Sequence, residues 1–479
     1  MPGGEGLADR KEPGLPLTRR IVDTSSSPAV LGNNNNIAYT VDITIGGQSF
    51  PVQLDTGSSD LWVHGPKADS IQFTGQPDPS IFVDIEYGSG SASGNVYFAD
   101  VGLGGFTASK QAFMLATTVV DEPSNLFEGI LGVGFDVNSQ INFQFQQTLG
   151  SDQGTPSLSK ILSQNNMLNS FDIQLSRLDD VGNQNKGMLF IGSHDGNFSR
   201  IADQPQLLQT STGIWSIALD SMKVNGKSFQ FNASTVPGVP SGKISTLMDS
   251  GTSLALLPPA AIDFIYRSIP GSVLHSTSSS ADYQWLVPCT GTTNVSFTYG
   301  GIEFPVHYLD LTTVSDGGGL TDVTICTNTF QYLDPDNLSG ADAVMGDSFL
   351  RNAYASFNFG ENGGTPFMQM IATTDFDTAL PDFQNTRGQD LADLPPDIFA
   401  TTTSTTSSAT SEPSFSDGSQ FLTSTSESLV SVSNTLHTPT PSSTLSVFDP
   451  NGSRSLRLSS FNKFFIPVIV CVLTSIAWL

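Results

Sequence analysis

The stretch Val52–Val63, VQLDTGSSDLWV, and its counterpart Ser245–Leu257, STLMDSGTSLALL, decide how this chain is read. Each runs from apolar residues into an aspartate, a hydroxyl residue, a glycine and a second hydroxyl residue. Asp55-Thr56-Gly57-Ser58 and Asp249-Ser250-Gly251-Thr252 are thus two copies of D-[ST]-G-[ST], 194 positions apart. One such tetrad arises by chance in about 3% of chains this long at average residue usage. A single D-T-G is usually a turn that ends a strand, but two matched copies behind apolar pairs need another explanation. Downstream of each lies an apolar pair followed by glycine, Ile130-Leu131-Gly132 and Val344-Met345-Gly346. The same parts in the same order indicate an internal duplication and two similar lobes.

The surrounding sequence is that of an all-β protein. From Ile37 to Phe376, short runs such as YTVDITI, FPVQL, IFVDIEY and NVYFADVGL alternate in polarity, with Gly, Asn, Asp and Pro between them. Helix signals are confined to Ser157–Asn165, behind Pro156, and Pro259–Arg267. No solenoid repeat is present. The expected organisation is an N-terminal extension or propeptide remnant (1–36), an N-terminal lobe (37–205), a C-terminal lobe (206–380), a Ser/Thr-rich stalk (381–450) and an attachment signal (451–479).

Paired aspartates in this setting point to hydrolysis. Cutting an amide without a metal or a covalent nucleophile requires a base to activate water and an acid to protonate the leaving nitrogen. Two adjacent carboxyl groups sharing one proton supply both, because like charges in contact cannot both ionise. Gly57 and Gly251 let each aspartate loop approach the other. Thr56 and Ser250 are expected to hydrogen-bond across the two loops, and Ser58 and Thr252 to donate to the outer carboxylate oxygens.

The 479 residues carry 45 acidic and 19 basic side chains, a net charge of -26. Such a surface repels nucleic acid, which is discounted as a partner. It suits work at low pH, where carboxylates titrate and self-repulsion falls, although acidity also serves plain solubility. Cys471 lies in the apolar tail, leaving Cys289 and Cys326 as the pair to bridge, which fits an oxidising compartment. N-x-[ST] sequons at Asn197, Asn232, Asn294, Asn337 and Asn451 agree with secretion. Met1–Arg20 is polar, lacks the apolar core of a signal peptide and ends in a dibasic pair, Arg19-Arg20. Residues 401–450 are dominated by Ser and Thr and read as an extended, O-glycosylated stalk. Beyond it come small residues at Asn451-Gly452-Ser453, a polar spacer and the terminal run FFIPVIVCVLTSIAWL. As a helix that run spans about 24 Å, short of a bilayer core. The pattern matches a GPI-attachment signal with Asn451 as the attachment residue.

With these residues in view, the chain resembles the pepsin family of aspartic endopeptidases over residues 37–375, and its stalk and tail resemble the GPI-anchored, yapsin-like fungal subgroup. The resemblance implies two β-rich lobes with a cleft between them, a catalytic pair at Asp55 and Asp249, and a cleft that takes six to eight residues of extended peptide. Glu86–Gly94, EYGSGSASG, would be the flap, with Tyr87 and Gly88 at its tip and Trp62 as the hydrogen-bonding partner of Tyr87. Phe127 and Ile130 would line the pocket for the residue before the cut. Val344–Phe359 resembles the late second-lobe strand and turn, and Cys289–Cys326 the second-lobe disulfide. The chain departs from the pattern in having no cysteine in its first lobe and a short Trp62–Tyr87 segment. It also lacks a signal peptide and most of a propeptide, which implies an incomplete or trimmed precursor.

Other chemistries lack support. The five histidines show no close metal-ligand spacing, and no G-x-S-x-G, P-loop or G-x-G-x-x-G occurs. Ser193-His194-Asp195 reads as a surface turn. No metal or cofactor is called for. The expectation is a monomeric, acid-favoured endopeptidase held at the outer face of the plasma membrane or the wall, acting on peptides and proteins. Two rivals are a catalytically inactive surface glycoprotein that only binds peptide and a structural wall mannoprotein. Glu86, Asp121, Glu122 and Glu128, near the flap and pocket segments, suggest a taste for basic substrates.

Overall fold

A computed structural model of the protein describes residues 28–399, apart from 122–125, 166, 179–186, 277–282, 316–322, 334–337 and 361–363. Asn337, Asn451, Glu122 and the expected attachment signal lie outside the described residues.

The structure is a mostly β, bilobal fold, and the duplication seen in sequence is a duplication of strand pairing. In the first lobe, strand Gln48–Asp55 runs parallel to Gly129–Gly132, with Asp55 opposite Gly132, and Leu61–Val63 pairs antiparallel to the latter. In the second, Ile244–Met248 runs parallel to Ala343–Met345, and Ala255–Leu257 crosses back at Leu256 opposite Val344. Each aspartate loop therefore leaves one strand, turns and returns on the far side of a third. The glycine that follows each apolar pair is required by this crossing. A Cβ on Gly132 would lie 2.5 Å from the backbone nitrogens of Ser59 and Asp60, and one on Gly346 would lie 2.2 Å from the Leu254 carbonyl.

A third set of strands joins the lobes. Ser170–Gln174 pairs with Gly187–Ile191 on one side and Ala353–Asn358 on the other, so first- and second-lobe strands share one sheet. Behind it, Trp215 packs against Phe135, Phe171, Phe357 and Phe359, and its indole nitrogen donates to the Val133 carbonyl. A continuous apolar core thus runs beneath both aspartate loops, from Leu54 to Met248.

The folded part extends past both boundaries read from composition. Ala29–Asn34 is a strand between Ala38–Ile45 and Gly187–Ile191, so part of the expected 1–36 extension belongs to the sheet. At the other end, helix Phe376–Asp390 crosses residue 380. It buries Phe383 against Tyr308, and Arg387 donates to the carbonyls of Thr312 and Cys289. Asp397 then accepts from the Cys289 amide, at 2.6 Å. Cys289 and Cys326 form a disulfide, Cα–Cα 5.1 Å, under that helix. The expected helices appear as Ser157–Gln164 and Pro259–Tyr266.

Candidate active site

Asp55 ends its strand and Asp249 directly follows its own, so both carboxyl groups emerge where the two lobes meet, and both are fully buried. The two loops are bound to each other by four reciprocal hydrogen bonds. The Thr56 hydroxyl donates to the Met248 carbonyl at 2.7 Å and accepts from the Ser250 amide at 2.9 Å. In the mirrored pair, the Ser250 hydroxyl donates to the Leu54 carbonyl at 2.8 Å and accepts from the Thr56 amide at 3.2 Å. All of these groups are buried, so each bond satisfies a donor or acceptor with no access to water.

The carboxyl groups are held alike. Asp55 Oδ1 accepts from the Gly57 amide at 2.7 Å, and Asp249 Oδ1 from the Gly251 amide at 2.8 Å. The outer oxygens accept from the hydroxyls of Ser58 and Thr252, the latter at 2.7 Å. Each glycine also lies directly against the opposite aspartate. A Cβ on Gly57 would meet Asp249 Oδ1 at 2.5 Å, and one on Gly251 would meet Asp55 Oδ1 at 2.4 Å. Only glycine leaves room for the two carboxyl groups to come together. Burial, and then the charge of Asp55, hold the Asp249 carboxyl well above the usual carboxylate range.

A third buried carboxyl belongs to a residue tied to the second aspartate loop, the Asp347 amide donating to the Thr252 carbonyl at 2.8 Å. Asp347, in the turn after Gly346, is fully buried and both of its oxygens lack a hydrogen-bond partner among the described residues. Burial holds it well above the ordinary range; Arg351 opposes this, and the charges of Asp249 and Asp55 add to it. Its role is not visible in sequence, because nothing in G-D-S-F ties it to aspartates 98 and 292 positions earlier. Asp60 likewise shows its role only in the fold. Its carboxylate accepts from the Ser139 hydroxyl at 2.6 Å and the Gln140 amide at 2.8 Å, so it caps helix Gln140–Leu149 and ties that helix to the first aspartate loop.

Strands Phe82–Glu86 and Ser91–Leu103 form the hairpin whose turn carries Tyr87 and exposed Gly88. The Trp62 indole donates to the Tyr87 hydroxyl at 2.7 Å. Phe127 and Ile130 are buried in one apolar cluster with Trp62 and Tyr87, so the structure brings the expected pocket residues together beneath the hairpin. Glu86 and Asp121 are exposed, whereas Glu128 is paired with Lys67 at 2.8 Å, which spends its charge. Asn197, Asn232 and Asn294 are exposed. His194 is not a free turn residue: its Nδ1 lies 2.6 Å from the buried Asp172 carboxylate, and the Asp195 amide bonds to Tyr354. No group of side chains suited to a metal ion occurs among the described residues.

The family model for eukaryotic aspartyl protease matches residues 38–364. The chain is 28% identical to the major aspartyl peptidase 1 of Cryptococcus neoformans var. grubii, over 74% of this chain and 72% of that one. It is 28% identical to an aspartic protease of Phaffia rhodozyma, over 67% and 74%, and 26% identical to pepsin A of Sus scrofa, over 67% and 78%. Both D-[ST]-G-[ST] loops fall inside the matched region, and the chain belongs to the eukaryotic aspartyl protease family, the pepsin-type aspartic endopeptidases.

Proposed function

We propose that Asp55 and Asp249 form the catalytic pair of an acid-favoured endopeptidase that works at the cell surface. The observation that carries this reading is the mirrored seating of the two buried carboxyl groups, each against the other lobe's glycine. One proton on the pair leaves one carboxylate to draw a proton from water and one carboxylic acid to stabilise the carbonyl oxygen as the tetrahedral intermediate forms. Transfer of the proton to the amine completes the cut. The hydroxyls of Ser58 and Thr252 keep the outer oxygens from rotating. Because the carboxyl of Asp249 stays protonated well above the usual range, the singly protonated pair persists upward from strongly acid pH and is lost as pH rises further. Activity is therefore bell-shaped, with its working arm in acid.

The Tyr87 hairpin, with the pocket of Phe127 and Ile130 below it, is read as the cover over an extended substrate. Surface tethering rests on the sequence of the tail, with Asn451 as the anchor residue, a Ser/Thr stalk as the spacer, and glycans at the exposed Asn197, Asn232 and Asn294. Among the described residues no helix is long and apolar enough to cross a membrane. Of the four acids suggesting basic substrates, Glu128 is paired with Lys67, whereas Glu86 and Asp121 are exposed and support that preference.

The test is cleavage of a mixed peptide library by the full-length protein between pH 3 and 7, with and without pepstatin. Acid-favoured cutting that the inhibitor stops supports the reading. Well-folded protein that binds peptides and cuts none at any pH would return the inactive peptide-binding reading to first place.

A further inference from the structure

Ser193-His194-Asp195 plays no part in the cleft, yet its histidine reaches the sheet that joins the lobes. Asp172 stands in the middle of strand Ser170–Gln174, opposite Phe190 on one neighbouring strand and Ser356 on the other. Phe171 and Ile173 point into the core, so Asp172 leaves the other face of the sheet, and there too it is fully buried. Two side chains meet the same oxygen, Oδ2. His194 Nδ1, from the loop after Gly187–Ile191, lies 2.6 Å away, and the Tyr354 hydroxyl, from the second-lobe strand Ala353–Asn358, donates at 2.5 Å. Oδ1 is buried with no hydrogen-bond partner among the described residues. Burial, and then the Asp172 carboxylate, push the Tyr354 hydroxyl above the ordinary phenol range, so it keeps its proton and donates throughout.

A buried carboxylate with so few donors depends on the charge of its partner. The three strands around it, Ser170–Gln174, Gly187–Ile191 and Ala353–Asn358, carry no other charged side chain. Asp195 gives one carboxylate oxygen to the Asn197 amide at 2.9 Å. Segment Gly196–Asp203, which stacks Phe198 on Tyr354, brings Arg200 and Asp203, both exposed. Carboxyl and guanidinium groups ordinarily hold one charge between mildly acid and neutral pH, whereas an imidazole changes its own there. We propose that His194 and Asp172 form an acid-set clasp on the joint between the lobes. In mildly acid medium the ring is charged and its contact with Asp172 is an ion pair. As pH rises the ring gives one proton to solvent, and the buried carboxylate is left with two neutral partners. The clasp therefore contributes stability that is present in acid and lost toward neutrality. It lies on the face of the sheet turned away from Trp215, which packs against Phe171, so it acts on the joint and not on the chemistry. The joint is tightest in acid and loosens in neutral medium.

Urea unfolding of the full-length protein, of His194→Gln and of Asp172→Asn, followed by tryptophan fluorescence at pH 5 and at pH 7.5, tests the clasp. Glutamine keeps a neutral donor and never carries the charge. Between the two pH values the wild-type unfolding constant should rise about five- to tenfold more than that of His194→Gln, the difference between a charged and a neutral hydrogen bond. Wild type and His194→Gln should therefore differ at pH 5 and converge at pH 7.5. Asp172→Asn should lose the same pH-dependent increment, because no carboxylate remains to meet the ring. A His194→Gln protein weakened equally at both pH values overturns the proposal, since the histidine would then be a plain hydrogen-bonding residue. So does one that is unweakened at both, or an Asp172→Asn protein that keeps the wild-type increment. Should Asp172→Asn fail to fold, wild type and His194→Gln still decide. Unfolding is read without any cleavage, so the outcome is independent of which residues catalyse.

Discussion

Thr56→Val removes one hydroxyl from the four-bond junction between the loops and changes almost nothing else, since valine matches threonine in shape. The hydroxyl lies in a fully buried position, donating to the Met248 carbonyl and accepting from the Ser250 amide. Its loss orphans one acceptor and one donor, each worth about 1–3 kcal/mol when left unpaired away from water. The expected destabilisation is therefore about 2–6 kcal/mol, measured by urea unfolding at pH 4 with tryptophan fluorescence as the probe. Thr56→Ser keeps the hydroxyl and should lose less than about 1 kcal/mol. The same loops position the carboxyl groups through Gly57 and Gly251, so kcat should fall by about a hundredfold in Thr56→Val with KM little changed. Combined with Ser250→Ala, the two changes should be coupled by more than about 1 kcal/mol, because each residue's hydroxyl bonds the other's amide. A Thr56→Val protein within about 0.5 kcal/mol of wild type and with normal kcat would refute the claim that these bonds hold the site together.

Three further outcomes follow from the same geometry. Asp347 has a carboxyl raised by burial, so it adds stability that is present at and below ordinary carboxylate pH and is lost as pH climbs through its raised value. Unfolding free energy should fall from about pH 4 toward neutrality in the wild type and fall less steeply in Asp347→Asn, and identical slopes would count against it. Tyr87→Phe leaves the buried Trp62 indole without its acceptor, so stability should fall by about 1–3 kcal/mol and kcat/KM about tenfold or more, as separate unfolding and cleavage measurements would show. Replacing Cys289 and Cys326 with alanine opens a loop of 37 residues and should cost about 4 kcal/mol in the chain-entropy treatment, checked by urea unfolding.

What could be read in advance was whatever is encoded locally and twice. The tetrads at Asp55 and Asp249 announce themselves because the turn chemistry, the apolar strand before it and the later glycine are all short-range features. Helices Ser157–Gln164 and Pro259–Tyr266 were legible from the prolines at their starts. Helix Gln140–Leu149 was not, since QINFQFQQTL offers little apolar stripe and its start is fixed by a distant Asp60. Helix Phe376–Asp390 was hidden by Pro381 and a weak pattern, and holds through contacts of Phe383 and Arg387 with the second lobe. Asp347 and Gln53 are not legible because each joins the site only through long-range packing, Asp347 through the Thr252 carbonyl of its own lobe and Gln53 through Gly251, 198 positions away in the other. His194 likewise looked like a surface turn until strand Ser170–Gln174 placed Asp172 beneath it.

The most direct test of the central claim is peptide cleavage at acid pH by Asp55→Asn and Asp249→Asn, each alone, beside the wild-type protein. Asparagine keeps the shape of the carboxyl and can neither share the proton nor activate water. Each variant should stay folded and lose at least about 10³-fold in kcat, and both together should lose little more than either alone, because the two groups act as one unit. Either variant cutting at the wild-type rate would contradict the account.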